Sequence, residues 1–170
     1  MKLDVGCGSY PEGDVNCDLY MEDVGHRVNY TYSPSQLLTK NMRNFVLADA
    51  QHLPFKDNAF TEVCSDHLIE HVPKPFQMLR ELVRVCSEKA VVKCPHRYGD
   101  RVFFWHNPAD TLHCNFFSKK WFFTALTALQ NECYGRVAYT KFQAVPHALF
   151  PLIHLPLEIT VEIRKKRDKN

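Results

Sequence analysis

Acids and glycines that lie where predicted strands end carry the clearest chemical potential in this sequence. Gly6 and Gly8 follow the strand that contains Asp4, and glycines at such a turn let the backbone approach a ligand closely. Asp18 and Asp49 end the next two predicted strands, where a carboxylate can accept hydrogen bonds from ligand hydroxyl or amino groups. Open α/β sheets bind ligands at the carboxyl ends of their strands, so these positions predict a binding site there. Taken alone, the Gly-x-Gly turn is equally typical of an ordinary tight turn.

The residues after the glycine turn argue against two common nucleotide sites. A dinucleotide fingerprint requires a third glycine or alanine that opens a packed helix, and this sequence has Pro11 at that position. A P-loop requires Gly-Lys-Ser/Thr, which the sequence lacks. Binding of NAD or FAD and nucleotide hydrolysis by a P-loop mechanism are therefore disfavoured.

Histidines near the predicted strand ends are the candidates for proton transfer, because an imidazole has an unperturbed pKa of about 6.5. The candidates are His67, His71, His96, His106 and His113. His96 follows a predicted strand and His113 leads into a predicted helix, so these two, together with His67, are the predicted catalytic residues. For any single histidine, a packed or surface imidazole with one hydrogen bond is the more frequent role.

A metal site is the other reading of these histidines. His67 and His71 lie four residues apart with Glu70 between them, a spacing that places both imidazoles on one helical face. The segment supplies no third ligand at a fixed spacing, and the Cys94-x-His96 pair lacks the second pair that zinc patterns require. The sequence therefore predicts no metal.

The elements that position these residues alternate between strands and helices. Strands are predicted over residues 2–5, 14–19, 44–49, 60–66, 89–94, 136–145 and 158–165, and helices over 75–86 and 118–130. This alternation predicts an α/β fold, a Rossmann-like and mostly parallel sheet with an antiparallel C-terminal strand. Pro11 and Gly13 are turn signals between the first two strands, so the first crossover helix is expected to be reduced or absent.

Length, composition and net charge restrict the number of domains, the cellular location and the partners that we expect. The 170 residues suffice for one domain, and we expect residues 1–170 to form it. No signal peptide and no apolar run of about 20 residues is visible, which predicts a cytoplasmic protein with no membrane partner. Seven cysteines without a Cys-x-x-Cys pair are interpreted as reduced core residues. A net charge of +2 is too small to favour nucleic acid, and a monomer or homodimer is expected.

The ordered motifs resemble the class I S-adenosylmethionine-dependent methyltransferases, specifically the small branch that includes quinone-biosynthesis and glycan-cluster methyltransferases. The resemblance covers most of the chain and rests on several segments in the family's order. These are Leu3-Asp4-Val5-Gly6-Cys7-Gly8, Asp18, Ala48-Asp49-Ala50-Gln51-His52-Leu53-Pro54-Phe55, Asn58 to Val63, Asp66 to Val72, Leu79 to Val85, and His113-Cys114-Asn115-Phe116-Phe117-Ser118. The resemblance implies S-adenosyl-L-methionine as the cofactor.

The resemblance also implies roles for the residues that would hold the methionine and ribose ends of that cofactor. Asp4 and the backbone around Gly6 and Gly8 would hold the methionine end, whose ammonium group needs acceptors. Asp18 would accept from the two ribose hydroxyls. The alternative for Asp18 is a loop carboxylate that caps a turn.

The segment after the third strand is implied to contact adenine. Asp49 would accept from the adenine amino group, and Ala50 and Gln51 would contribute backbone contacts. Leu53 and Phe55 would pack on the ring or belong to the core, and the core is favoured for both.

Three further segments bear on the acceptor side of the implied site. Asp66 lies in the segment that corresponds to the loop under the sulfonium, and is assigned to the cofactor. Phe103–His106 would wall the acceptor pocket or form buried packing, with neither favoured. Tyr10 stands where relatives have a small residue and would cover the site, and residues 21–44 would form a lid or a variable connection.

The implied reaction is methyl transfer to a hydroxyl or amine of a small-molecule or glycan-type acceptor. The alternatives are an RNA methyltransferase of the tRNA-modifying type and a non-catalytic cofactor-binding partner subunit. After the fourth strand the sequence has neither Asn/Asp-Pro-Pro-Tyr nor Pro-Cys, which disfavours methylation of base amino groups and of cytosine carbon.

Overall fold

A computed structural model describes residues 1–8, 11–21, 44–99, 113–143 and 154–166, with the backbone alone described at 140–143 and 154–156. The predictions for Tyr10, for Phe103–His106 and for most of residues 21–44 lie outside the described residues. The strands are β1 Lys2–Val5, β2 Val15–Asp18, β3 Phe45–Leu47, β4 Phe60–Asp66, β5 Cys86–Pro95, β6 Cys133–Gln143 and β7 His154–Lys165. The helices are α1 Pro75–Val85 and α2 Lys119–Ala128.

The strands form one seven-stranded sheet in the order β3-β2-β1-β4-β5-β7-β6. All neighbours from β3 to β5 are parallel, and β7 runs antiparallel between β5 and β6. Leu3 at the centre of β1 pairs with Val15 on one side and with Val63 on the other. The predicted fold class is confirmed, and the described residues between β1 and β2 contain no helix.

The core lies between the sheet and its helices. The three-to-four-residue spacing of Phe76, Leu79, Leu82, Val83 and Cys86 predicts the buried face of α1. Leu79 and Leu82 are completely buried as predicted, and so is Met78. Phe76, predicted to face the core, is instead 37% exposed, because Met78 rather than Phe76 turns toward the sheet. No helix in the described part of the chain is long and apolar enough to cross a membrane.

The turn after β1 depends on glycine at position 6. Gly6 has a φ of +75°, in the left-handed region that L side chains rarely adopt. The amides of Gly6 and Cys7 both donate to the carbonyl oxygen of Cys17, at 2.8 and 3.1 Å, which fastens this turn to β2. A Cβ atom on Gly6 would lie 2.6 Å from Cδ2 of Leu68. Both the backbone conformation and the available space therefore require glycine.

Arg84 of α1 fastens the segment that follows β3. Its guanidinium binds the Glu81 carboxylate with two hydrogen bonds of 2.7 and 2.8 Å and donates to the carbonyl oxygens of Leu53 and Phe55. Glu81 in turn accepts from the amide of Leu53 at 2.8 Å, and the Arg84 guanidinium holds the pKa of Glu81 below its ordinary value. Helix α1 thereby fixes the loop that carries the predicted adenine contacts.

Substitution Gly6→Ala is expected to destabilise the fold by about 1–2 kcal/mol through its left-handed φ alone, with a further cost from the contact with Leu68. Urea denaturation of Gly6→Ala in the wild-type and Leu68→Ala backgrounds separates the two effects, because only the contact disappears with the leucine side chain. Equal costs in the two backgrounds would contradict the contact.

Substitution Arg84→Lys is expected to lower the free energy of unfolding by about 1–3 kcal/mol, because an ammonium group cannot reproduce the two-pronged bond to Glu81 and both carbonyl contacts. Arg80→Lys, at an exposed position of the same helix, is the matched control and should change stability by less than about 0.5 kcal/mol. Thermal and urea unfolding measure both. Equal effects of the two variants would argue against the role of Arg84.

Candidate active site

The predicted cofactor residues lie at the carboxyl ends of three neighbouring strands. Because β3, β2 and β1 are adjacent and parallel, the segments after them meet at one edge of the sheet. The amide of Ala48 donates to the carbonyl oxygen of Asp18 at 2.9 Å, which continues the pairing of β2 and β3 beyond the strands. The structure therefore brings the glycine turn, Asp18 and the Asp49 segment together.

Asp18 holds the glycine turn in place. Its carboxylate is 4% exposed, and it accepts from the amide of Gly8 at 3.0 Å and from the amide of Tyr20 at 3.2 Å. Gly8 has a φ of +53°, so its amide reaches Asp18 from a left-handed conformation. The turn-capping role is thus present in the structure, and the same carboxylate lies beside the turn predicted to hold the cofactor.

Asp4 braces the connection between β1 and β2 from inside. One carboxylate oxygen accepts from the amide of Glu12 at 2.9 Å, and the other lies 3.6 Å from the thiol of Cys64 on β4. Burial raises the pKa of Asp4 above its ordinary value, although the Glu12 amide opposes the shift. Burial and the nearby Asp4 raise the pKa of Cys64 to about 12, so this thiol stays protonated. Asp4 acts on the glycine turn through the backbone of the loop.

The Asp49 segment is a compact turn on the edge of the core. The Asp49 carboxylate accepts from the amide of Gln51 at 2.8 Å and from its side-chain amide at 3.1 Å, and Ala50 is buried. Leu53 is buried in the core, and Phe55 packs edge-to-face on Phe60 with ring centroids 5.0 Å apart. The core role favoured from the sequence for Leu53 and Phe55 is the one observed.

Asp66 and His67 lie at the end of β4, and both are in ion pairs. Asp66 pairs with Lys93 of β5 at 2.6 Å. His67 has a φ of +52°, and its Nε2 lies 2.9 Å from the carboxylate of Glu158. The Glu70 carboxylate beside Nδ1 and that of Glu158 raise the pKa of His67 to about 9. His67 is therefore protonated near neutral pH, a state in which it cannot accept a proton.

His96 is enclosed at the end of β5, with 4% of its surface exposed. Its ring lies against Tyr98 and Tyr139, with centroids 5.2 and 5.3 Å away. Nδ1 accepts from the amide of Tyr98 at 3.2 Å, which leaves the proton of the neutral ring on Nε2. Burial, with a smaller effect of Arg97, lowers the pKa of His96. In this state His96 is a hydrogen-bond donor through Nε2.

His113 lies against His71, a neighbour that sequence spacing did not identify. The two rings meet edge-to-face with centroids 4.7 Å apart. Glu70, which precedes His71, is buried beside them, and it received no functional role in the sequence analysis. The only sequence signal for its burial was its place in the otherwise apolar stretch Leu68-Ile69-Glu70-His71-Val72. The histidine region thus contains two residues, Glu70 and His71, beyond the predicted catalytic ones.

A shallow depression of about 710 Å³ lies elsewhere, along the exposed face of α2. It is lined by Lys119, Lys120, Phe123, Thr124, Thr127 and Ala128. None of the predicted site residues borders it. The strand ends, rather than this depression, therefore define the candidate site.

The lowered pKa of His96 predicts a pH dependence of stability. Because the folded-state pKa lies below the unfolded value of about 6.5, the contribution is complete above that value and is lost as the pH falls through the folded pKa. His96→Asn retains an acceptor for the Tyr98 amide but does not titrate, so its melting temperature should fall less on acidification. Nuclear magnetic resonance titration of the imidazole measures the pKa directly. A value at or above 6.5 would contradict the prediction.

Solved structures share this fold at low sequence identity. A chain in the complex of the Haloferax volcanii Trm112 methyltransferase activator is 14% identical with a TM-score of 0.63, and the match covers 99% of this chain and 83% of that one. A Thermotoga maritima SAM-dependent methyltransferase, described as a possible histamine N-methyltransferase, is 14% identical with a TM-score of 0.63 and coverages of 98% and 82%. At these identities the likeness establishes the fold.

A third structure contains a cofactor product. The plantazolicin methyltransferase in complex with a triazolic desmethylPZN analogue and SAH is 13% identical with a TM-score of 0.64, over 98% of this chain and 76% of that one. SAH in a structure of this fold agrees with the S-adenosyl-L-methionine predicted from the sequence. No curated protein sequence matches this chain significantly.

The family comparison covers the first five strands. The profile of the methyltransferase domain family matches residues 3–93, more than half of the 170-residue chain. This range contains Asp4, Gly6, Gly8, Asp18 and Asp49. As the sequence resemblance predicted, the chain belongs to the class I S-adenosylmethionine-dependent methyltransferase family.

Proposed function

We propose that this chain transfers a methyl group from S-adenosyl-L-methionine to a hydroxyl or amine of a small-molecule or glycan-type acceptor. The observation that carries the proposal is the hydrogen bond of 3.0 Å from the amide of Gly8 to the carboxylate of Asp18. This bond joins the loop after β1 to the acid that ends β2. S-adenosyl-L-methionine is a nucleoside with a charged amino-acid tail. The acid would bind its ribose and the loop would bind its tail, so the two features must lie side by side.

The cofactor would lie along the edge formed by β3, β2 and β1. Asp18, which ends β2 beside the glycine turn, would accept from the ribose hydroxyls. Asp49, with the backbone of Ala50 and Gln51, would bind adenine. The backbone of Gly6 and Gly8 would contact the methionine end, with Asp4 fixing their loop from behind.

Methyl transfer is a displacement at the sulfonium carbon, and it demands alignment more than acid–base help. A lone pair of the acceptor forms the bond to the methyl carbon, while the carbon–sulfur bond breaks and its electron pair remains on sulfur. A hydroxyl acceptor, or the ammonium formed from an amine acceptor, also loses one proton, which passes to solvent water. His96, neutral with its proton on Nε2, would orient the acceptor as a hydrogen-bond donor. His67 would supply positive charge, and Asp66 would border the cofactor beside Lys93.

The acceptor class is inferred from charge and from sequence motifs. The net charge of +2 gives little attraction for a polyanion, and the loop after β4 lacks the base-methylating motifs. The affinity for an RNA acceptor would fall steeply as the salt concentration rises, whereas the affinity for a small neutral molecule would change little.

Alanine at Asp18 or Asp49 is expected to weaken the binding of S-adenosyl-L-methionine and of SAH by about 10- to 100-fold each, because each variant removes hydrogen bonds to a charged acceptor. Isothermal titration calorimetry measures this directly. Glu132→Ala, which removes an exposed carboxylate at the far end of α2, is the matched control and should bind as the wild type does.

Three outcomes separate the alternatives. Normal cofactor affinity in the Asp18→Ala, Asp49→Ala double variant would refute the site assignment. Absence of binding to the wild-type chain at micromolar cofactor would contradict the enzymatic proposal for the chain alone. If the cofactor binds, a methyl-transfer screen over small molecules, oligosaccharides and transfer RNA identifies the acceptor class.

A further inference from the structure

Glu70 is a buried carboxylate whose oxygens accept no hydrogen bond within the described part of the chain. It is 1% exposed, and neither carboxylate oxygen has a hydrogen-bond donor there. Nδ1 of His67 lies 3.4 Å from one of these oxygens, which is an ion-pair distance without hydrogen-bond geometry. Burying a charged group without donors is costly, so such a carboxylate indicates a missing ligand.

Two imidazoles share the space around this carboxylate. One ligand atom each from Glu70, His71 and His113 lie within 4.8 Å of one another. His71 and His113 are only partly buried, so the cluster can be reached from solvent. A buried acid and two accessible imidazoles thus converge on one point.

The backbone holds the two contributing segments together. The amides of Cys114 and Asn115 donate to the carbonyl oxygen of Glu70 at 2.9 and 3.1 Å. The side chain of Asn115 donates to the carbonyl oxygen of Val72 at 2.8 Å. His113 is therefore held beside Glu70 and His71 by bonds that do not involve any of the three side chains.

We propose that Glu70, His71 and His113 bind a divalent transition-metal ion of the zinc type. Two imidazoles and a carboxylate form a frequent donor set for zinc, with metal–ligand distances of about 2.0–2.2 Å. Tetrahedral ligands at those distances lie roughly 3.4 Å apart. The three ligand atoms lie within 4.8 Å of one another, so small side-chain rotations would bring them to this separation.

The charges of the neighbouring groups fit this ion. A divalent cation would give the Glu70 carboxylate a ligand at bonding distance, which the imidazole of His67 at 3.4 Å does not provide. Nε2 of His67 lies 2.9 Å from the Glu158 carboxylate, so this imidazole keeps a carboxylate partner when Glu70 binds the metal. Sequence spacing does not predict this metal site, because His113 comes from a segment far from Glu70 and His71 and no spacing rule connects them.

Three protein ligands leave a fourth coordination position, which is typical of catalytic rather than structural zinc. In a step that rests on the proposed methyl transfer, a hydroxyl acceptor bound there would release its proton to solvent more readily. Its oxygen would then attack the methyl carbon as the carbon–sulfur bond breaks. Metal binding itself requires neither cofactor nor acceptor.

The test is titration of the chelator-treated full chain with Zn²⁺ by calorimetry, and with Co²⁺ by visible absorption. We expect one equivalent to bind, with the absorption of four- or five-coordinate cobalt. Glu70→Gln, which keeps the side-chain shape, and His113→Asn should each weaken binding at least about 100-fold, since even an outer-shell partner of a metal ligand contributes 10- to 100-fold. His52→Ala, at an exposed histidine of the Asp49 turn, is the matched control and should leave the affinity unchanged.

Thermal unfolding distinguishes a metal-binding role of Glu70 from a purely structural one. Saturating Zn²⁺ should raise the melting temperature of the wild type and of His52→Ala but not that of Glu70→Gln. No saturable binding to the wild type, or equal affinity in Glu70→Gln, would overturn the proposal. Failure of S-adenosyl-L-methionine to bind would refute the proposed function and leave this result intact.

Discussion

The main-chain carbonyl oxygen of Cys17 on β2 accepts hydrogen bonds from the amides of both Gly6 and Cys7. The edge of the sheet that is proposed to bind the cofactor depends on this contact. Two donors on one oxygen force the chain to turn sharply at the end of β1, and the left-handed φ of Gly6 makes that turn accessible. Once the turn is fixed, the amide of Gly8 points at Asp18. The acid proposed to bind ribose and the loop proposed to bind the methionine end are thereby positioned by backbone geometry.

The short connection between β1 and β2 needs its own support, because the described residues include no crossover helix there. Asp4 supplies part of it by accepting from the amide of Glu12. Gly13 supplies another part, since a Cβ atom at that position would lie 2.7 Å from the backbone nitrogen of Asp4. The loop packs directly on β1, and a buried acid with a raised pKa replaces the contacts that a helix would make.

Local patterns in the sequence predicted the elements well because strand and helix formation depend on neighbouring residues. The bounds of β4 were predicted at both ends, and the predicted strand ends lie near Asp18, the last residue of β2, and near Asp49, two residues after β3. Contacts between distant segments could not be predicted in this way. The meeting of His71 with His113 and the burial of Glu70 follow from the packing of the segment before α2 against the loop after β4. The prediction that Phe76 faces the core was wrong for a related reason, since the periodic pattern of α1 accommodates either Phe76 or Met78 on its buried face.

The two halves of the site differ in origin. The acids and glycines that would hold the cofactor come from β1, β2, β3 and their loops, all within the range of the family match. His96 and His113, by contrast, come after residue 93, beyond that match. The loop after β4 lies between the halves, next to the point where the strand order reverses from β1 to β4, which is where sheets of this type open a crevice. His67 and Glu70 stand on that loop, so in the proposed reaction they would lie at the boundary between the cofactor and the acceptor. The proposed acceptor side of this crevice therefore combines Glu70 and His71, which lie within the family match, with His96 and His113, which lie beyond it.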